Sequence, residues 1–148
     1  MKEIDKELIE RLKDSSLKLT GQRLTILSLL IENNDKHLNA EDIHKLLLLK
    51  KEKVGIATVY RTLSVLEKLN MIARLYIDDG CIRYQVIDPG KEHEHHHLIC
   101  KKCGKIIDMQ DDLLDSLEEK VKSMYGFKVL NHKVKFYGLC KDCLEKSN

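Results

Sequence analysis

Residues 55–87 read GIATVYRTLSVLEKLNMIARLYIDDGCIRYQVI, and their hydrophobic period changes once, near residue 70. Up to Lys68 the apolar residues Val59, Leu63 and Leu66 recur at helical spacing, with Gly55 just ahead of them. Beyond it, Ala73 to Ile77 and Ile82 to Ile87 are β-prone runs joined through Asp78-Asp79-Gly80, where Asp-Gly is a strong hairpin signal. At about 100° per residue the helix presents Ala57, Arg61, Ser64 and Lys68 opposite its apolar side. A helix that enters a major groove needs short residues for close approach and an arginine or hydroxyl that reaches base edges or phosphates. Thr58, Tyr60 and Arg61, near its N-terminus, supply them. Alone, this is equally a solvated helix face, and the neighbouring elements decide between the two.

Upstream, Ile4, Leu8 and Leu12 recur every four residues as a first helix. Thr20 caps a second, with Leu24, Leu27 and Ile31 on one face. Asn39 with Asp42 three residues on is a near relative of the capping box and opens a third through Ile43, Leu46 and Leu47. Three helices, a helix with a basic outer face and a hairpin are the order of a winged helix-turn-helix. Lys18, ahead of the second helix, is a further candidate for a backbone or minor-groove contact.

Downstream, Asp88-Pro89-Gly90 is the one cluster of turn formers, and it sets the expected organisation: a DNA-binding domain over 1–88, a hinge over 89–92 and a second unit over 93–148. In that unit His95 to Cys100 and Lys105 to Met109 read as strands around a Cys-Lys-Lys-Cys turn. A helix is expected from about Asp112 to Tyr125, with Leu117, Val121 and Met124 inward and Gly126 at its end, and then a strand from Phe127 to Tyr137. The fold class is therefore α+β, a winged helix followed by a small α/β domain.

Cys100-x-x-Cys103 and Cys140-x-x-Cys143 each offer two thiolates from one tight turn, and four sulfurs suit a closed, structural, tetrahedral Zn²⁺ site. Redox chemistry and unrelated buried thiols are the competing readings. In an extended His93-Glu94-His95-His96-His97, the odd-numbered histidines face one way and Glu94 and His96 the other, so one strand can feed two metal sites. His132 and Asp115 taken singly read as a core histidine and a solvated charge, and become ligands only if Glu94 and His96 lie beside them. Cys81, next to the hairpin turn, reads as an inert small residue.

Composition bounds these readings. With 148 residues, 34% charged and 43% hydrophobic, the chain can bury a core, which excludes a disordered chain. One Pro, seven Gly and 5% aromatics argue against an all-β sandwich. The net charge of +2 does not by itself advertise a polyanion partner, so a DNA reading rests on arrangement. The first residues alternate charge with Ile4, Leu8 and Leu12 and lack the apolar core of a signal peptide, and no apolar run is long enough to span a bilayer. A cytoplasmic protein is expected, in which cysteines are more often ligands than disulfides. An enzyme is not expected: a zinc deaminase needs His-x-Glu and Pro-Cys-x-x-Cys, whereas no histidine here has Glu two places on and Ile99 precedes Cys100. A metal buffer without DNA binding is the rival of another class, and the outer face of the fourth helix discriminates it.

These features in this order resemble the ferric uptake regulator family of metal-dependent repressors. The similarity runs from Leu17-Lys-Leu-Thr-Gly-Gln-Arg23 through His37-Leu-Asn-Ala-Glu-Asp-Ile43, Ala57-Thr-Val-Tyr-Arg-Thr-Leu63 and His95-His-His-Leu-Ile-Cys-Lys-Lys-Cys-Gly104 to Tyr137-Gly-Leu-Cys140. The resemblance implies a dimerisation role for the second domain and a structural zinc on Cys100, Cys103, Cys140 and Cys143. It also implies a regulatory metal on His37, Gln85, His95, His97 and Asp108, and a second site on Glu94, His96, Asp115 and His132. Four positions depart from the family pattern. Gln85 stands where a carboxylate is usual, which leaves His37, His95, His97 and Asp108 as the firm set; Glu94 and His96 are interchanged relative to the common His and Asp; Gly21 replaces a proline.

Nitrogen and oxygen ligands suit Fe²⁺, Mn²⁺, Co²⁺ or Zn²⁺. Tyr60-Arg61-Thr62-Leu63 and Asp112-Leu-Leu114 resemble the iron-responsive branch, and Asp108 in place of Glu the peroxide-sensing one. The expectation is an Fe²⁺-dependent homodimeric repressor of iron uptake on an AT-rich inverted-repeat operator in double-stranded DNA. The peroxide-sensing and the zinc- or manganese-sensing branches are the alternatives.

Overall fold

A computed structural model describes residues 3–88 and 96–147, in two compact units, Met1–Gly90 and Lys91–Asn148. The expected hinge at 89–92 and the candidate ligands Glu94 and His95 lie outside the described residues.

The first unit is a winged helix built from α1 (Glu3–Asp14), α2 (Gly21–Glu32), α3 (Ala40–Leu49), α4 (Ile56–Lys68), β1 (Ile72–Tyr76) and β2 (Ile82–Val86), with a short 3-10 turn at Asn34–Lys36. The caps are the ones the sequence spells. Thr20 accepts a hydrogen bond from the Arg23 amide, and Asn39 and Asp42 exchange side chain to backbone bonds in a full capping box. Leu8 and Leu12 of α1, Ile26 and Leu27 of α2, Ile43 and Leu47 of α3 and Val59, Leu63 and Leu66 of α4 are fully buried in one cluster. Each such side chain contributes about 1.5–3 kcal/mol of burial, so this unit carries its own core.

β1 and β2 pair antiparallel from Ile72↔Val86 to Tyr76↔Ile82. The turn between them needs left-handed backbone, which Asp78 (φ 60°) and Gly80 (φ 80°) adopt. The other edge of β2 is also used: the Tyr84 amide donates to the Leu38 carbonyl at 2.9 Å and the Val86 amide to Asn34 Oδ1 at 2.7 Å. The segment from Asn34 to Asn39 is thereby docked along β2 on both sides of Gln85.

The second unit has β3 (His96–Cys100), β4 (Ile106–Met109), α5 (Asp115–Tyr125), β5 (Lys135–Gly138) and α6 (Lys141–Lys146), with strand order β4-β3-β5. β3 is antiparallel to β4 and parallel to β5. Two expectations are corrected here. The helix begins at Asp115 rather than Asp112, because Asp112 Oδ1 takes the Leu114 amide at 3.1 Å and holds residues 112–114 in a turn. The last strand begins at Lys135 rather than Phe127; ahead of it Asn131 Oδ1 accepts the His132 amide at 2.8 Å, a local bond in place of a ladder bond. His132 therefore sits in a loop, not on a strand face. Of the three apolar residues expected inward on α5, Val121 is half-buried while Leu117 and Met124 are exposed, since nothing among the described residues of this unit covers that face. Among the described residues no helix is long and apolar enough to cross a membrane.

Candidate metal centres and nucleic-acid face

The turn between β3 and β4 brings Cys100 and Cys103 together, and the start of α6 brings Cys140 and Cys143; β5 pairs Gly138 with Cys100 and so delivers the second pair to the first. All four sulfurs lie within 4.8 Å of one another, with Cys103 Sγ and Cys140 Sγ 3.7 Å apart. A tetrahedron of sulfurs at the Zn–S distance has edges of about 3.8 Å, so the four side chains fit that ion. Backbone amides of Cys140 and Cys103 aimed at the Cys100 sulfur pull its thiol down to about 6, whereas burial pushes Cys143 up to about 12. Cys100 is thus held ready as thiolate, and Cys143, whose thiol is pushed up, would gain most from a cation.

β3 alternates sides as its sequence requires. His97 is the register partner of Asp108 on β4, and its Nε2 lies 3.3 Å from the Asp108 carboxylate. On the other side, His96, Asp112 and His132 place one ligand atom each within 4.8 Å of the others. His96 is 3% exposed, and its Nδ1 is a buried polar atom with no hydrogen-bond partner among the described residues. That orphan nitrogen and the neighbouring carboxylate are the features of a cation site. Asp115, expected in this group, is exposed on α5 and is not part of it. Asp112 takes its place because the turn that delays the helix also aims its carboxylate inward. Glu118, one turn into α5, accepts at 2.6 Å from His132 Nδ1 and was likewise not foreseen. Asp112, Asp115 and Glu118 recur every three residues, so spacing alone could not rank them.

In the first unit His37 follows the 3-10 turn with left-handed backbone, φ 49° and ψ 62°. A residue other than glycine keeps this sparsely populated conformation where its surroundings hold it, as the two bonds to β2 that flank Gln85 do here. On α4, Arg61 is exposed and donates to Thr58 Oγ1 at 3.2 Å, Ala57, Ser64 and Lys68 are exposed beside it, and Val59, Leu63 and Leu66 are buried behind. Tyr60 is exposed as well, and its hydroxyl donates to Glu41 of α3 at 2.6 Å. This bond holds the Glu41 carboxyl below its usual value and raises the Tyr60 phenol. Lys18 is exposed ahead of α2, its carbonyl taking the Arg23 guanidinium. The face keeps its apolar residues inward and its hydroxylic and basic ones outward, with the hairpin as a wing.

The ferric uptake regulator family model matches residues 14–137. The chain is 40% identical to the ferric uptake regulation protein of Bacillus subtilis over 134 residues, 90% of each chain, and 36% identical to the peroxide operon regulator of the same organism over 143 residues, 97% of this chain and 95% of that one. Among solved structures, the Helicobacter pylori ferric uptake regulator, described as having three functional metal binding sites, superposes with a TM-score of 0.84 at 34% identity and full coverage of both chains. The Francisella tularensis regulator with iron gives 0.76 at 32%, covering 88% of this chain and 97% of that one. A winged helix with a basic recognition face, a four-cysteine cluster and histidine–carboxylate groups fed by one strand, matched along nearly the whole sequence, identify the chain as a member of the ferric uptake regulator family, metal-responsive transcriptional regulators rather than enzymes.

Proposed function

We propose that this protein is an Fe²⁺-dependent repressor of iron uptake that acts in the cytoplasm as a homodimer on an AT-rich inverted repeat. The observation that carries the reading is the coexistence in one chain of an outward α4 face, with Tyr60 and Arg61 exposed and Thr58 half-buried beside them, and metal-ligand clusters that are not part of that helix. A metal buffer has no use for the first.

Residues 1–88 are the DNA-reading domain in this account, with Thr58, Tyr60 and Arg61 in the major groove and Lys18 on the backbone or minor groove. Residues 93–148 are the dimerisation domain, joined to it by the 89–92 hinge. Leu113, Leu117, Met124, Tyr125 and Phe127 supply its exposed apolar face, which a second copy would cover. Cys100, Cys103, Cys140 and Cys143 hold the structural zinc that ties α6 to the β3–β4 turn in a unit whose own core is thin. His37, His95, His97 and Asp108 hold the regulatory ion, and His96, Asp112 and His132, with Glu94, the second one. The regulatory ion supplies one bond network that the two domains share. His37 responds by fixing the Asn34 to Asn39 segment, and with it β2 and the start of α3, relative to the second domain. Two recognition helices meet half-sites about 34–36 Å apart only in a restricted range of such angles. A hundredfold gain in DNA affinity requires that the ion prefer the DNA-competent arrangement by about 2.7 kcal/mol.

A second reading within the family, peroxide sensing, is favoured by Asp108 where the iron-responsive branch has Glu, and by the 36% identity to a peroxide operon regulator. Anaerobic fluorescence anisotropy on an inverted-repeat duplex at fixed salt, with zinc-loaded protein and Fe²⁺, Mn²⁺ or further Zn²⁺ added separately, tests the proposal. Iron-dependent tight binding that survives a hydrogen peroxide pulse supports the iron-uptake reading. Loss of binding with oxygen added to a ligand histidine selects the peroxide branch, and binding indifferent to every metal removes both.

A further inference from the structure

His132 lies in the loop between α5 and β5, where no strand or helix fixes the direction of its ring. Its Nδ1 is 2.6 Å from Glu118 Oε1, its Nε2 is 3.4 Å from Asp112 Oδ1, and its ring centroid is 5.0 Å from that of His96. Asp112 Oδ1 is itself held by the Leu114 amide and lies 3.8 Å from His96 Nε2. We infer that Glu118 is the positioning residue of the second metal site: by accepting the Nδ1 proton of His132 it selects the tautomer whose Nε2 lone pair faces Asp112 and His96. This rests on reading His96, Asp112 and His132 as that site.

An imidazole must be neutral to ligate a metal and a carboxylate only accepts, so with His132 as a ligand a bond this short to Glu118 places the ring's single proton on Nδ1. Nε2 then presents its lone pair on the side of Asp112 Oδ1, 3.4 Å away, an oxygen that also lies 3.8 Å from His96 Nε2. Without Glu118 the proton is free to move to Nε2, where it would be donated to Asp112 and would occupy the position of the metal. Glu118 lies three residues into α5, on the same turn as Asp115, so the helix that carries it is anchored by the same Asp112 turn that aims the ligand carboxylate. Carboxylates in this outer position are worth about 10–100-fold in metal affinity.

The test is a Co²⁺ titration of the full-length chain carrying one zinc, together with ¹⁵N–¹H spectra of its histidine rings at pH 7.5 before cobalt is added. The Co²⁺ equivalent that disappears in His132→Ala defines the site. Glu118→Ala is expected to weaken that equivalent 10–100-fold and leave the others unchanged, while Glu118→Gln, whose amide oxygen still accepts, stays within about threefold of the parent. The spectra are expected to show His132 with its proton on Nδ1 in the parent and in Glu118→Gln, and on Nε2 in Glu118→Ala. If His132→Ala removes no equivalent, the site and the inference fall together. If it does, but Glu118→Ala binds as the parent, or His132 of the parent carries its proton on Nε2 or on both nitrogens, the inference alone is overturned.

Discussion

Asn34→Ala removes the acceptor of the Val86 amide, a bond of 2.7 Å spanning 52 residues of sequence and half shielded from water. A buried donor left without a partner costs about 1–3 kcal/mol, and partial access of water puts this one near the lower end, about 1–1.5 kcal/mol. For a unit of this size that is about 4–12 °C in the melting of the winged-helix domain. Asn34→Asp keeps the oxygen and should fall within about 0.5 kcal/mol of the parent. Amide hydrogen exchange reads the effect locally: the opening free energy of the Val86 amide should drop by the same 1–1.5 kcal/mol, with amides in the middle of α2 following only the global change. The perturbation also reaches function. His37 keeps its left-handed conformation because the Asn34 and Leu38 bonds to β2 hold the segment on either side. With one gone, the backbone can relax by the strain it stores, and regulatory metal should bind about 5–10-fold more weakly, since 1.4 kcal/mol is tenfold. An Asn34→Ala protein with parental protection at Val86 and parental metal affinity would refute this account of how His37 is held.

Three shorter predictions concern other parts of the molecule. Arg61→Ala, an exposed change on α4, should leave the melting temperature within about 2 °C of the parent but cost about 1–3 kcal/mol in operator binding, read by anisotropy; unchanged binding would remove Arg61 from the interface. Cys143→Ser, or zinc removal by a strong chelator, should cost about 3 kcal/mol or more and raise hydrogen exchange first in β5 and α6; a C-terminal segment that keeps its protection would mean that the four sulfurs are not its anchor. Tyr60→Phe removes the bond that lowers Glu41 below its usual 4.5. A depressed carboxylate stabilises the fold above its unfolded value and loses that contribution as pH falls through its folded value. The stability gap between parent and Tyr60→Phe should therefore be present, though small for two exposed groups, at pH 6 and close as pH falls below about 4.5 in urea melts; a gap independent of pH would show that the bond is not charge-assisted.

Local chemistry was the legible part of this sequence. Thr20 and the Asn39–Asp42 pair fix two helix starts because a cap is a contact between residues three apart, and Asp-Gly at 79–80 places the hairpin for the same reason. The four cysteines were legible too, since each pair declares itself within one turn. What could not be read depended on contacts set by tertiary structure. Asp112 gives its side chain to the turn ahead of α5, and that choice moves the helix start and exchanges Asp115 for Asp112 beside His96 and His132. Residues 127–134 alternate in sequence like a strand, but Asn131 takes a backbone donor locally and the ladder on β3 begins only at Lys135. On α5, Leu117 and Met124 mark a face that periodicity assigns inward although none of the described residues of the unit receives it. In each case the pattern was read correctly as a pattern, and the partner that gives it meaning was absent from the local sequence.

The central claim is that metal and DNA bind to one linked equilibrium, and linkage supplies its most direct test. The Fe²⁺ affinity of the zinc-loaded protein should be measured anaerobically with and without saturating operator duplex, alongside the operator affinity with and without saturating Fe²⁺. The account requires that DNA tighten Fe²⁺ binding by the same factor by which Fe²⁺ tightens DNA binding, and that His37→Ala reduce both factors together. An Fe²⁺ affinity unmoved by operator, in a protein that binds both, would contradict it.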